Sequence, residues 1–469
     1  FTPHPPGFDD FLLLRYSPDG TLLWDVVFPG PGDGFDELTD VAVSETSISV
    51  VGLASAATGR SLVTCRFDLD GVLLWQSEFA LTTAPPTFSN PPAIAIAPDD
   101  SVTVGTTDGD HFRLIRYDAV GGELWTTPYD GILADSTGFF ALGVDSTGAV
   151  AVTAFLGSGS GTVTARYDAV GRLEWEHQTL GAFGGVVAPS TLSIGPDDRI
   201  IVTSGHETTC GLFEYRTLQL SPSGILEWEV GYHGPTPCSS SDPLGNAVDG
   251  NGRVYVTGSG VTPDTVDFSD LVTVGYDALG SELWVERIDL PSTDVERATA
   301  IGVDRSNAAG GVYTSGVSVS GIVSESVLVR YDPDGAIAGS VDLVTTTGFP
   351  LTVSSLAASH GRIAVAGDGI TVQLFEETSS FIRADCNGDG AIDIGDAIAA
   401  LDALFIGTAS VLCSDACDTN DDGHFDIADP VSTLAHLFTG AAPPPPPFPA
   451  CGPDPTTDAL TCPSFGSCP

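Results

Sequence analysis

The sequence predicts a mainly β protein: a seven-bladed β-propeller followed by a small α-helical module built on two EF-hand-like calcium loops. Three observations carry this prediction. A ten-residue phrase recurs seven times at a nearly constant interval, a second pair of apolar runs lies between successive copies, and a twelve-residue acidic loop occurs twice near the C-terminus.

The phrase is RYSPDGTLLW ending at Trp24, RFDLDGVLLW at Trp75, RYDAVGGELW at Trp125, RYDAVGRLEW at Trp175, QLSPSGILEW at Trp228 and GYDALGSELW at Trp284. A seventh copy, RYDPDGAIAG from Arg330, carries Gly339 where the others have Trp. Successive copies are 51, 50, 50, 53, 56 and 55 residues apart. Alternating apolar residues on either side of Asp, Pro and Gly read as a β-hairpin. A second hairpin lies between copies, as in ALGVDSTGAVAVTAFLG from Ala141 and NAVDGNGRVYVTGSG from Asn246. Two hairpins in roughly 50 residues make four strands, the content of one propeller blade. These phrases resemble the SBBP-type bacterial propeller repeat from about residue 8 to residue 376, a resemblance that implies the fold and says little about function.

The repeated Trp reads as a large ring packed between neighbouring blades. Quinone-dependent dehydrogenases also place a Trp after a Gly turn in each blade, but they carry an adjacent Cys pair, and no two Cys are adjacent here. The chain opens with a third-and-fourth-strand hairpin, Phe11 to Phe28, and closes with a first-and-second-strand pair, Leu351 to Gly367, so the termini are expected to share one blade. Ile370 to Glu376 then aligns with the third strand from Ser61 as a surplus strand. It is read as a fifth edge strand or part of a linker, or as an edge offered to another chain.

The acidic loops are DCNGDGAIDIGD, Asp385 to Asp396, and DTNDDGHFDIAD, Asp418 to Asp429. Positions one, three, five and twelve supply Asp385, Asn387, Asp389 and Asp396, and again Asp418, Asn420, Asp422 and Asp429. Asp393 and Asp426 at position nine are expected ligands as well, and Gly390 and Gly423 make the bend. Ala391 and His424 at position seven are expected to offer backbone carbonyls alone, so His424 is not read as a transition-metal ligand. A hard cation needs six to eight oxygens, and carboxylates this close repel one another without it, so the expected cofactor is Ca²⁺. Apolar residues at helical spacing follow each loop, AIAALDALF and VSTLAHLF. The two loop-helix units, roughly residues 381 to 440, resemble a type I dockerin, which implies a cohesin partner. Where dockerins often use Ser and Thr at loop positions ten and eleven, this chain has Ile394 and Gly395, then Ile427 and Ala428.

The resulting division is an N-terminal segment 1–10, propeller 11–376, linker 377–384, calcium module 385–440 and a Pro- and Cys-rich tail 441–469 expected to be stiff and extended. Cys386, Cys413, Cys417, Cys451, Cys462 and Cys468 allow about fifteen pairings. Cys210 and Cys238 are expected to pair, and Cys65, inside a strand, to be a buried free thiol.

With 62 acidic residues against 16 Arg and no Lys, the net charge of −46 argues against nucleic acid and anionic membranes as partners. No apolar run is long enough to span a bilayer. Nine Cys fit an oxidising compartment, and the absence of Met leads us to expect a removed leader and a secreted, cell-surface location. The eight His show no zinc spacing, and no GxSxG elbow is present. The sequence therefore reads as a non-enzymatic, calcium-stabilised structural or adhesive protein. Its expected partner is itself, as homo-oligomer or filament, or another extracellular protein. The alternatives are a cohesin-borne carbohydrate-binding propeller with a glycan partner, or a polysaccharide-acting enzyme.

Overall fold

The computed structural model describes most of the chain between residues 11 and 468. Outside the description lie 1–10, 17–21, 29–35, 83–90, 130–136, 157–160, 181–186, 235–238, 262–268, 289–294, 306–310, 344–352, 368–370, 377–380, 407–410 and scattered shorter stretches. The chain divides into two compact units, one of residues 1–303, 311–357 and 365–374, the other of 304–310, 358–364 and 375–469.

The first unit holds nearly all of the propeller. After a hairpin of β1 (Phe11–Tyr16) and β2 (Leu22–Phe28), six antiparallel four-stranded sheets follow in chain order. They are β3 to β6 (Asp36–Val43, Ser47–Ala56, Gly59–Asp68, Leu73–Ala80), β7 to β10 (Ala93–Ile96, Val102–Asp108, His111–Tyr117, Glu123–Pro128) and β11 to β14 (Thr137–Val144, Val150–Leu156, Gly161–Tyr167, Leu173–Leu180). Then come β15 to β18 (Val187–Ile194, Ile200–Glu207, Phe213–Leu220, Leu226–Tyr232), β19 to β22 (Ser241–Val248, Val254–Val261, Ser269–Tyr276, Glu282–Ile288) and β23 to β26 (Val295–Val303, Val312–Ser320, Val323–Tyr331, Ile337–Asp342). The seventh blade is a three-stranded sheet of β27 (Val353–Ser359), β28 (Arg362–Gly367) and β29 (Thr371–Glu376).

This seam differs from the sequence expectation. β29 takes the third-strand place beside β28, and β1 with β2 forms a sheet of its own. The pattern of a third strand is carried equally well by β1 and β29, and the shorter connection wins: only a few residues separate β28 from β29, whereas β1 lies at the other end of the chain. Closing the shorter loop costs less entropy.

The core lies between blades because the middle strands bury both faces and so read as continuous apolar or Thr-rich runs: β8, β12 and β13 are buried along nearly their whole length. A representative cluster joins Phe112, Leu114, Phe139, Val152, Val163 and Tyr167 from consecutive blades. Each repeated Trp then staples its blade to the next. The indole N–H donates to the turn carbonyl of the following hairpin, Trp24 to Leu69, Trp75 to Ala119, Trp125 to Ala169, Trp175 to Pro222, Trp228 to Ala278 and Trp284 to Pro333, at 2.9–3.2 Å. The ring lies under the Gly of that turn. At Gly171, φ is +81° and an added Cβ would sit 2.7 Å from the Trp125 ring, so the position needs Gly for conformation and for space. Cys65 is a buried free thiol, its pKa pushed up by burial to about 12. Cys210 is disulfide-bonded, while Cys238 lies outside the described residues.

Candidate calcium centre

The second unit holds α1 (Ile394–Phe405), α2 (Ser414–Cys417) and α3 (Ala428–Thr439), and α1 packs on α3. The two acidic loops repeat hydrogen bond for hydrogen bond. Asp385 accepts from the amides of Asp389 and Gly390 at 3.1 and 2.8 Å, and Asp418 accepts from those of Asp422 and Gly423 at 3.3 and 2.9 Å. Asp396 accepts from the amides of Asn387 and Asp393 at 3.2 and 2.8 Å, and Asp429 from those of Asn420 and Asp426 at 3.4 and 2.8 Å. Position-one and position-twelve carboxylates thus close each loop from its two ends.

Asp393 is the N-cap of α1, and Asp426, one residue before the N-cap Ile427 of α3, makes the same pair of bonds. Each accepts from the amide two residues on, Gly395 at 2.6 Å and Ala428 at 2.7 Å, while its own amide donates to the position-twelve carboxylate. At α1 this is a reciprocal capping box that satisfies amides at the helix start. Asn387 and Asn420 accept from the Asp389 and Asp422 amides. The Asp389 and Asp422 carboxylates accept from the amides of Ala391 and His424. The His424 ring stands out in solvent, Nδ1 3.0 Å from the Asp422 carbonyl.

The electrostatics of this arrangement favour a cation. Asp385, Asp396, Asp418 and Asp429 are at most 1% exposed. Burial, and then the charges of Asp385 and Asp389, push Asp396 up to about 6. Burial and the Asp418 charge raise Asp429 likewise. Among the described residues no three His, Cys, Asp or Glu side chains already converge on one point, because the loop carboxylates bond the loop amides. The donor set nevertheless fits Ca²⁺: it is all oxygen, duplicated and mutually repelling, with neither imidazole nor thiolate turned inward.

Sequence reading missed how much else belongs to this unit. Residues 381–384, assigned to a linker, are buried: Phe381, Ile382, Arg383 and Ala384 are 9% exposed or less. Cys386–Cys417 joins the starts of the two loops, and Cys413–Cys462 and Cys451–Cys468 hold the tail. The Pro-rich segment is docked: the Pro446 carbonyl accepts from Arg383 Nε at 3.1 Å and that of Pro447 from the Arg383 amide at 2.7 Å. A lone Arg before an acidic loop has no periodicity to reveal it. Its abundance of potential carboxylate partners was the sole signal.

No known protein-family profile matches the chain, and no curated protein matches it. Solved structures similar to it include a PL25 ulvan lyase at 9% identity and TM-score 0.46, covering 72% of this chain and 90% of that one. The propeller domain of the Trilobed protease from Pyrococcus furiosus follows at 12% identity and TM-score 0.42, covering 73% and 92%. An α-L-arabinanase from Penicillium chrysogenum stands at 14% and 0.37, covering 52% and 79%. The expectation of a non-enzyme is corrected here: polysaccharide lyases and an arabinanase stand among the similar structures.

Proposed function

We propose that the chain is an extracellular calcium-dependent assembly protein, with a propeller carried on a dockerin-like module that binds two Ca²⁺ ions and docks on a protein partner. The observation that carries this reading is the duplication with a 33-residue offset, which extends from ligands to surface. Asp396 and Asp429 are buried at equivalent places, as are Ala400 and Thr433, whereas Ile394, Ile398 and Phe405 are exposed, and so are Ile427, Val431 and Phe438. Each exposed trio recurs at intervals that fall on one helix face, and a soluble surface rarely repeats an apolar stripe without a use for it. Calcium would be held by Asp385, Asn387, Asp389, Asp396 and their counterparts Asp418, Asn420, Asp422, Asp429, with Asp393 and Asp426 setting the helices. The bound ion would neutralise the buried carboxylates and so fix the two stripes. Three disulfides support an oxidising compartment, and no helix among the described residues is long and apolar enough to cross a membrane. Titration calorimetry on the chelated protein should give two ions per chain, and light scattering should show calcium-dependent mass. One ion or none, or a mass indifferent to calcium, refutes the reading.

A second reading concerns the propeller. A groove of 660 Å³ is lined by Ser44, Glu45, Thr46, Asp100, Asp145 and Ser146 at the first turns of three consecutive blades. Arg66 and Arg166 pair with Asp100 and Asp145 from outside the lining, so the groove presents hydroxyls, apolar side chains and little net charge, which suits a neutral, hydroxyl-rich chain better than a polyanionic one. Glycan-array binding that Glu45→Gln and Asp100→Asn both weaken, or sugar release assayed on neutral polysaccharides, would support carbohydrate as ligand or substrate. Binding confined to sulfated or uronate chains would count against it.

A further inference from the structure

The two loops agree at seven of their twelve positions, and position four is one of the five where they part. The first has Gly388 there, at φ +71°, with nothing within 4 Å of where a Cβ would stand. The second has Asp421, also left-handed at φ +60°. Asp is one of the few residues other than Gly that adopt this conformation readily, so the two loops keep the same backbone while only the second places a carboxylate there. The Asp421 carboxylate is 11% exposed and meets Arg383 Nη2 at 2.9 Å and the Thr456 hydroxyl at 2.7 Å.

Arg383 is fully buried, and all five of its guanidinium donors find acceptors. Nε donates to the Pro446 carbonyl at 3.1 Å. Nη1 donates to the carbonyls of Asp418 at 2.9 Å and Asp415 at 3.4 Å. Nη2 serves two carboxylates, Asp421 at 2.9 Å and Asp454 at 2.8 Å. The guanidinium lies 5.3 Å above the Phe381 ring. One cation therefore holds the main chain at position one of the second loop, the position-four carboxylate of that loop, and two separate points of the C-terminal tail. Although Arg383 precedes the first loop in sequence, its contacts are with the second.

We propose that Asp421, Arg383 and Asp454 form a latch through which calcium in the second loop and the docked tail stabilise one another, leaving the first loop outside the coupling. The inference rests on the calcium reading above. By linkage, whatever affinity the docked tail adds to the second site, calcium returns to tail docking by the same factor. Arg383 and Asp421 are positioning residues here, since both act by fixing loop backbone.

The test uses the full chain, with calcium affinity read by calorimetry and tail docking by hydrogen exchange of peptides from 444–456, in calcium and in chelator. Wild type should show slower tail exchange in calcium. Asp421→Gly, which installs the residue the first loop uses, should weaken one of two sites by about tenfold, within the range of ordinary couplings, and speed tail exchange in calcium. Arg383→Met separates the latch from simple charge. Removing a cation beside the loop should tighten calcium if charge alone matters, whereas the latch requires weaker binding and a loosened tail. Should Arg383→Met fail to fold, Asp454→Asn carries the same expectation for site and tail. Two calcium ions bound with tail exchange indifferent to calcium, or tighter binding in Arg383→Met, would overturn the latch and leave the calcium reading standing. A wild type that takes no calcium would overturn both.

Discussion

Trp125 contributes a hydrogen bond and a buried ring, and two substitutions separate them. Trp125→Phe loses the 3.0 Å bond to the Ala169 carbonyl and should cost about 1 kcal/mol. Trp125→Ala also empties the space under Gly171 and should cost about 3 kcal/mol, both read from denaturant midpoints. A loss that is equal in the two variants would mean the ring contributes nothing beyond its N–H. His206 is a second residue with a measurable signature. It is 3% exposed on β16, and burial, followed by the Arg216 charge, pushes its pKa down to about 4. Between pH 6.5 and 4 the unfolded imidazole binds the proton and the folded one does not, so stability falls as pH falls through that window, by up to about 3 kcal/mol at its lower end. His206→Gln should flatten that part of the stability profile of the propeller. An unchanged slope would show that other groups set it.

At the scale of elements, the capping box of α1 can be examined apart from the metal. In chelator, Asp393→Ala should destabilise α1 by about 1 kcal/mol, read by the loss of helical ellipticity on heating, whereas Asp426→Ala, one residue before the N-cap of α3, should cost less. Equal melting of wild type and Asp393→Ala in chelator would leave Asp393 without a capping role. Elements were legible in the sequence wherever a local pattern repeats: the hairpins around each Trp, the two loops and the two helices all emerge from spacing. The seam was less legible, because β1 and β29 carry the same third-strand pattern and a one-dimensional alignment cannot rank two candidates for one edge. The embedding of residues 381–384 and of the tail was not legible at all. Arg383 bonds Asp418, Pro446 and Asp454, 35, 63 and 71 positions away, and such contacts leave no periodicity behind. The capping use of Asp393 was hidden for a different reason, since position nine of a calcium loop calls for the same residue type as a helix cap.

For the whole molecule, the two units should respond differently to calcium. At a free concentration 100 times the dissociation constant, each bound ion stabilises its fold by about 2.7 kcal/mol, so chelation should lower the calorimetric transition that residues 381–468 report and leave the propeller transition in place. A propeller transition that moves by the same amount would show that calcium acts elsewhere. The Trp staples add a property of another kind. Each indole reaches forward to the next turn, from Trp24 on β2 to Trp284 on β22, so six bonds join seven hairpins in a row that has direction. The seventh hairpin, β25 and β26, offers only Gly339 where the next link would start, and nothing lies within 4 Å of its missing Cβ. A row of one-way links with an open end behaves under load like a zip whose slider rests at one particular place. Pulled from its ends, the propeller should part first beside Gly339 and come apart blade by blade in reverse chain order, giving steps of about fifty residues in a force trace.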